Sequence, residues 1–516
     1  MRRQAWLLGV GGGAFAVLCV ATRFGIGVST DSVAYIAEAR QLVRGEGLTL
    51  PAGLLEIYAD VDPARSALPS AHFPPLYPLV IAATGLAEGG ASSFRWLNAL
   101  LLAATAVVVA AMVSRHTGSR STACLAAGMV VLAAPVLRVH SMAWSEPLYV
   151  ALGFAGLLAL AAFLEDGRRS MLVAGALGLG LAWLTRYVGI AFVLTGAVAL
   201  LLGWARGRAT GRQVAAFVGL SVVPMAAYLA GIAWSEAGGA GFTVAPDRPS
   251  SAELDVGVLA LWDWFLPTRP SSIWFVLAWA PVVALLYVQL RLATTGREPA
   301  GRQERGLPQL PLVVGVYLVS SAVVLLASLF VFADYLPLEE RFLVPLFVAA
   351  VALVACSAPR AVRKRARFRE PVLVLLAALV TSTALGGVVT VGNGIRGFPG
   401  FAAREWRDGE VVDEIRSLPP STRIYSNFPE AIYVVTGREA RLLPKQRLAG
   451  DRIPRHLAAR TARLRDDVRA GEGIVVYFIH AYRDLLPSPR ELTALLGVQP
   501  RFGLPDCLVY ETGARP

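Results

Sequence analysis

Apolar runs of about 18 residues or more recur between Trp6 and Val391, each long enough at about 1.5 Å per residue to cross a hydrocarbon core of roughly 30 Å. In that solvent a segment must satisfy its own backbone hydrogen bonds, so the runs predict helices. They fall near 5–22, 96–113, 120–137, 145–164, 171–184, 188–204, 213–235, 271–291, 310–333, 341–357 and 371–391. A further run, 74–90, is short, begins Pro74-Pro75 and contains Pro78. It fits either a span or a segment at the interface.

Beyond residue 392 the pattern changes to short polar and alternating stretches. RIYSN, REARLLP, GIVVYFIH and CLVYET read as strands, and PEAIYVVTG, the stretch from His456 to Ala470, and PRELTALLG read as helices. The chain therefore predicts an α-helical polytopic membrane domain over 1–391, with a first outer loop at 23–95, followed by a small α/β domain over 392–516. No phosphate-binding glycine loop is visible in the tail.

Composition agrees: 55% of the 516 residues are hydrophobic and 16% charged, too apolar for a soluble chain of this size. The net charge of +12 is not a nucleic-acid footprint, because much of it sits in short loops between spans. Those loops decide the topology. If 74–90 does not cross and the N-terminus is inside, the loops holding Arg115 and Arg120, Arg168 and Arg169, Arg206 to Arg212, Arg291 to Arg305, and Arg360 to Arg369 all lie inside, as the positive-inside bias requires. If it crosses, all of them lie outside. The reading is thus about eleven spans, with 74–90 interfacial or re-entrant and the loops at 23–95 and 237–270, the segment Asp334 to Arg341 and the tail on the extracytoplasmic side of the plasma membrane. The basic start and apolar core of the N-terminus read as a signal anchor. Cys19, Cys124, Cys356 and Cys507 lie far apart without CxxC spacing, which indicates neither a zinc site nor a disulfide framework.

The candidate chemistry gathers on that one side. In STDSVAYIAEARQLVRGEGL the apolar positions after Asp31 follow helical spacing up to Gly45 and Gly47, predicting an amphipathic helix on the membrane surface. Asp31 in its first turn is either a cap or dipole partner, or a base for an acceptor hydroxyl. His72 precedes the double proline. Glu146, in SMAWSEPLYV at a membrane edge, either faces a polar cavity or marks a helix start. Arg186, in LAWLTRYVGI, and Arg341, after DYLPLEE, stand on the outer side, where orientation bias disfavours arginine. Each is a phosphate ligand or a snorkelling side chain. Tyr35, Tyr187 and Tyr335 accompany them as substrate-site candidates.

The succession of TDSVAYIAEARQLVRG, HFPPLYP, FRWLNALLLAATAVVVAAMVSR, WSEPLYV and LTRYVGI resembles the GT-C superfamily of membrane glycosyltransferases. The likeness is greatest to the branches related to the protein O-mannosyltransferases and the lipid A aminoarabinose transferase, a glycosyltransferase family 39-like pattern. It is clear over about 1–205 and holds only in outline beyond. The resemblance implies an inverting hexosyl- or pentosyltransferase that uses a polyprenyl-phosphate sugar and an extracytoplasmic glycan, lipid or protein acceptor. Asp31 maps to the proposed general base, Arg186 to a basic residue thought to meet the lipid phosphate, and Glu146, by position only, to a second acid. Where many members have two adjacent acids after the first span, Asp31 is followed by Ser32. Metal use varies across the superfamily, and no ligand set for a divalent ion is evident in the sequence. Two rivals remain: a transporter or flippase, which predicts midplane charges or interrupted helices in repeated halves, and an envelope assembly protein with no use for Asp31.

Overall fold

The computed structural model describes residues 5–234, 309–331, 339–364, 369–397 and, with short gaps, 400–512. Internal contacts divide the chain into two compact units: Met1–Gly25, Ser92–Ala227 and Pro246–Gly397 form one, and Ile26–Ala91, Tyr228–Ala245 and Phe398–Pro516 form the other.

The first unit is a helical bundle. Its helices are α1 (Ala5–Ala21), then α5 (Phe94–Thr117), α6 (Arg120–Leu132), α7 (Ala134–His140), α8 (Glu146–Asp166), α9 (Arg169–Thr185), α10 (Ile190–Ala205), α11 (Gly211–Trp234), α12 (Leu310–Val331), α13 (Glu340–Lys364) and α14 (Arg369–Gly394), with α2 to α4 in the other unit. Among the described residues seven helices are long and apolar enough to cross a membrane, and the bent pair α6 and α7 makes an eighth. The 17-residue α1 and α9 stand at the lower length limit for a span. The anticipated span at 271–291 lies outside the described residues.

One span departs from expectation. The run 120–137 is not a single rod but two helices bent by 60°. Ala133 is extended (φ −66°, ψ 124°) and Pro135 follows in the first turn of α7. Proline has no N–H to continue the ladder, and its ring clashes with the carbonyl four residues back. Close helix approach is bought with glycine: a Cβ on Gly178 of α9 would fall 2.9 Å from Gly156 Cα of α8, the small-residue contact that membrane helices use in place of a hydrophobic drive.

The second unit joins the first loop to the C-terminal region. Its loop part holds α2 (Thr30–Val43), β1 (Thr49–Pro51), α3 (Ala52–Leu55), β2 (Ala67–Pro69) and α4 (Leu76–Ala83), with β1 and β2 antiparallel. At eight residues, α4 is only about 12 Å long. It cannot cross a bilayer, as the charge parity of the loops required. The amphipathic surface helix needs correction: α2 has the expected bounds, but Ser32 to Ala39 are all buried, so protein surrounds it.

The C-terminal part contains α15 (Glu410–Ser417), β3 (Arg423–Ser426), α16 (Pro429–Thr436), β4 (Arg441–Leu442), α17 (Leu457–Arg469), β5 (Gly473–Phe478), α18 (Pro489–Leu496), β6 (Arg501–Leu504) and β7 (Cys507–Tyr510). Every strand and helix read there from the sequence is present, and α15 and β6 are additional. The sheet order is β4-β3-β5-β7-β6, parallel across the first three strands and antiparallel thereafter. Alternation along the strands builds two cores. Tyr425, Val475, Tyr477, Leu508 and Tyr510 pack with α17 and α18, while Ile424, Ile474, Val476, Phe478 and Cys507 pack with α15 and α16. The result is a three-layer α/β/α arrangement.

Candidate active site

In the second unit the cap of α2 is Ser29, whose side chain accepts from the Ser32 N–H while the Ser32 hydroxyl accepts from the Ser29 N–H at 3.1 Å. This reciprocal capping box leaves Asp31, half-buried in the first helical turn, outside the capping role that competed with catalysis. The Tyr58 hydroxyl donates to Asp31 Oδ1 at 3.4 Å. The ring of Tyr58 lies against His72, centroids 4.0 Å apart and planes 29° from parallel, and Phe73 meets both rings edge-on. Burial among these rings, with Lys445 nearby, pushes the His72 imidazole down to about 4 against the opposing pull of Asp31. At neutral pH His72 is therefore uncharged and able to accept a proton or a hydrogen bond. Lys445 donates to the Ile57 carbonyl at 2.7 Å, and burial lowers its ammonium to about 8.

Tyr35, a substrate-site candidate on sequence, is a core residue here, 2% exposed. Its ring packs at 4.6 Å on Phe73 and 5.0 Å on Tyr77. Tyr58 and Lys445 carry no sequence signal that singles them out. Each lies among ordinary loop residues, and only the tertiary fold gives it these neighbours.

In the first unit, Glu146 opens α8 with its side chain 1% exposed. Arg186, where α9 ends and the 3₁₀ turn Tyr187–Gly189 begins, places Nη1 2.7 Å from Glu146 Oε1 and 3.1 Å from Ser145 Oγ. The pair is off the axis of a hydrogen bond, and neither Glu146 oxygen has a hydrogen-bond donor among the described residues. Arg341 Nε stands 4.0 Å from the same oxygen and 2.8 Å from Glu339 Oε2. Trp144 and Phe342 face its guanidinium at 5.2 and 5.0 Å, and Phe342 also faces Arg186 at 5.1 Å. Three residues separated in sequence as Glu146, Arg186 and Arg341 thus share one cluster, in which a buried carboxylate holds two guanidinium groups together. Tyr335 lies outside the described residues, and Tyr187 adjoins the cluster through Arg186. No group of three or more His, Cys, Asp or Glu side chains among the described residues is arranged to hold a metal ion.

The helical bundle of the first unit, with seven or more helices able to cross a membrane among the described residues, and the α/β layer of the second define a multi-pass membrane protein with the fold of the GT-C class of glycosyltransferases. ArnT from Cupriavidus metallidurans bound to undecaprenyl phosphate superposes with a TM-score of 0.53 at 15% identity, covering 98% of each chain. The mycobacterial arabinofuranosyltransferase AftD gives a TM-score of 0.50 at 16% identity, over 99% of this chain and 40% of its own. At these identities the likeness establishes the fold. Residues 71–235 match the model of the dolichyl-phosphate-mannose-protein mannosyltransferase family. No curated protein sequence is significantly similar to the chain.

Proposed function

We propose that the protein transfers a sugar from a polyprenyl-phosphate donor to an acceptor on the extracytoplasmic face of the plasma membrane, with inversion at the anomeric carbon. The acceptor oxygen forms its bond to that carbon as the bond to phosphate breaks. Its proton passes to Asp31, and the polyprenyl phosphate departs with the electron pair. A phosphate whose charge is matched leaves without a general acid, so one carboxylate is enough.

The observation that carries the assignment of the base is that Ser29, not Asp31, caps α2. Support for the anion role comes from the buried Glu146 holding Arg186 and Arg341 together. Two guanidinium groups against one buried carboxylate leave one positive charge. Arg341 meets it with Glu339, whose side chain is 45% exposed. A donor phosphate would take the place of Glu339 against the Arg341 guanidinium, which is itself only 17% exposed. Undecaprenyl phosphate bound to ArnT makes a sugar carried on that lipid phosphate the natural donor to try first.

The test is transfer in proteoliposomes with a panel of polyprenyl-phosphate hexoses and pentoses, comparing wild type with Asp31→Asn and Asp31→Ala. Loss of a general base lowers kcat by about 10² to 10⁴, and donor binding survives. Equal rates in all three proteins remove Asp31 from the mechanism. Arg186→Gln and Arg341→Gln are expected to raise the donor KM.

A further inference from the structure

The C-terminal α/β layer reaches the first turn of α2 through a hydrogen bond to a buried, ion-paired carboxylate. Glu430, in the first turn of α16, is 0% exposed. Its Oε1 accepts from Thr30 Oγ1 at 3.0 Å and from the Arg483 guanidinium. Thr30 is the residue before Asp31. The same helix meets the other end of α2, where the Arg40 guanidinium lies 5.3 Å from the Tyr433 ring. The segment entering α2 is also fixed: Phe401 N–H donates to the Val28 carbonyl at 2.8 Å. At Gly400, with φ +109°, a Cβ would fall 2.2 Å from that same oxygen.

Desolvating a carboxylate and a guanidinium is costly, and apolar packing holds helices together at less expense. What a directional, charge-assisted bond adds is a fixed orientation. Contacts at both ends of α2 from one helix prevent it from turning about its axis. We propose that Glu430 is a positioning residue: through Thr30 it sets the rotation of α2, and with it the direction in which Asp31 presents its carboxylate. The inference rests on the reading of Asp31 as the base, and it makes the C-terminal domain part of the catalytic framework rather than a cover over it.

Thr30→Val is the decisive variant, because it keeps the shape and β-branching of the side chain and removes only the proton given to Glu430. In the full-length protein in proteoliposomes, kcat should fall about 10- to 100-fold, the range for a reacting group misplaced by about an ångström, with donor KM unchanged. Thr30→Ser, which keeps the hydroxyl, should restore the rate. Adding Glu430→Ala to Thr30→Val should cost little more than the worse single change. Backbone hydrogen exchange at residues 32–36 should quicken in Thr30→Val and not in Thr30→Ser. A wild-type kcat with unchanged exchange in Thr30→Val overturns the proposal, as does a rate loss that Thr30→Ser shares. If wild type transfers no sugar from any donor, the assignment of the base fails, while exchange at 32–36 still decides whether Glu430 holds α2.

Discussion

Glu56 offers the sharpest test of how the second unit is held together. Its carboxylate is 1% exposed and ties the first loop to the C-terminal part, with Arg441 Nη1 at 3.1 Å, Arg460 Nη2 at 3.1 Å and the Leu442 N–H at 3.0 Å. Arg460 is itself only 5% exposed. Glu56→Ala would leave that guanidinium buried without its counter-ion, a loss of about 3–5 kcal/mol where one partner of a buried pair is removed. The Leu442 amide loses an acceptor as well, worth about 1–3 kcal/mol by itself. The two are not additive, since one carboxylate serves both, and about 3 kcal/mol is the conservative expectation. At roughly 1.4 kcal/mol per factor of ten, opening of the unit becomes more than about a hundredfold more frequent. Native-state hydrogen exchange on the full chain in detergent reads this at β4 and β5. The triple change Glu56→Leu, Arg441→Met, Arg460→Met should recover most of the loss, because no charge is then buried. Protection in Glu56→Ala within about threefold of wild type would falsify the ionic account and leave apolar contact as the tie.

Two further outcomes follow from the same unit. His72 has its imidazole lowered from 6.5 to about 4 by burial. Folding therefore favours its neutral form, and that contribution is complete above pH 6.5 and is lost as pH falls from there through about 4. The opening equilibrium measured by exchange should steepen across that window in wild type and flatten in His72→Phe, which keeps the stack on Tyr58. At Gly53 a Cβ would lie 1.9 Å from the Ala440 carbonyl oxygen, a backbone atom that cannot step aside. Gly53→Ala should cost about 1–3 kcal/mol, read as a lowered thermal midpoint of the full-length protein.

Much of the fold is legible in the sequence because its signals are local. Span length and loop charge need no tertiary knowledge, so the helices and the non-crossing run at 74–90 follow from them. Likewise most of the strands and short helices of the tail announce themselves, down to the two-residue β4, while α15 and β6 do not. The break at Ala133 was missed because the run around it is apolar throughout, and hydropathy does not register the backbone consequence of Pro135. The surroundings of α2 were missed for a different reason. Its apolar face suits lipid or protein equally, and only the packing of α4, β1 and the distant α16 against it decides between them. Among the candidate residues of the two units, Asp31, Glu146, Arg186 and Arg341 stand out in the sequence as charges in costly places. Tyr58, Lys445 and Glu430 do not, since a tyrosine in a loop, a lysine in a polar tail and a glutamate opening a helix are unremarkable until their neighbours are known.

The contact between Thr30 and Glu430 joins residues 400 apart in sequence. At ribosomal speeds of about 5–20 residues per second, the start of α2 waits roughly 20–80 s for its counterpart to be made. Through that interval the nascent protein already spans the bilayer many times, yet the helix bearing Asp31 lacks its final anchor. If Glu430 sets α2 as proposed, competence waits until translation is nearly over, and a ribosome that stalls before α16 would leave behind an inserted but idle bundle.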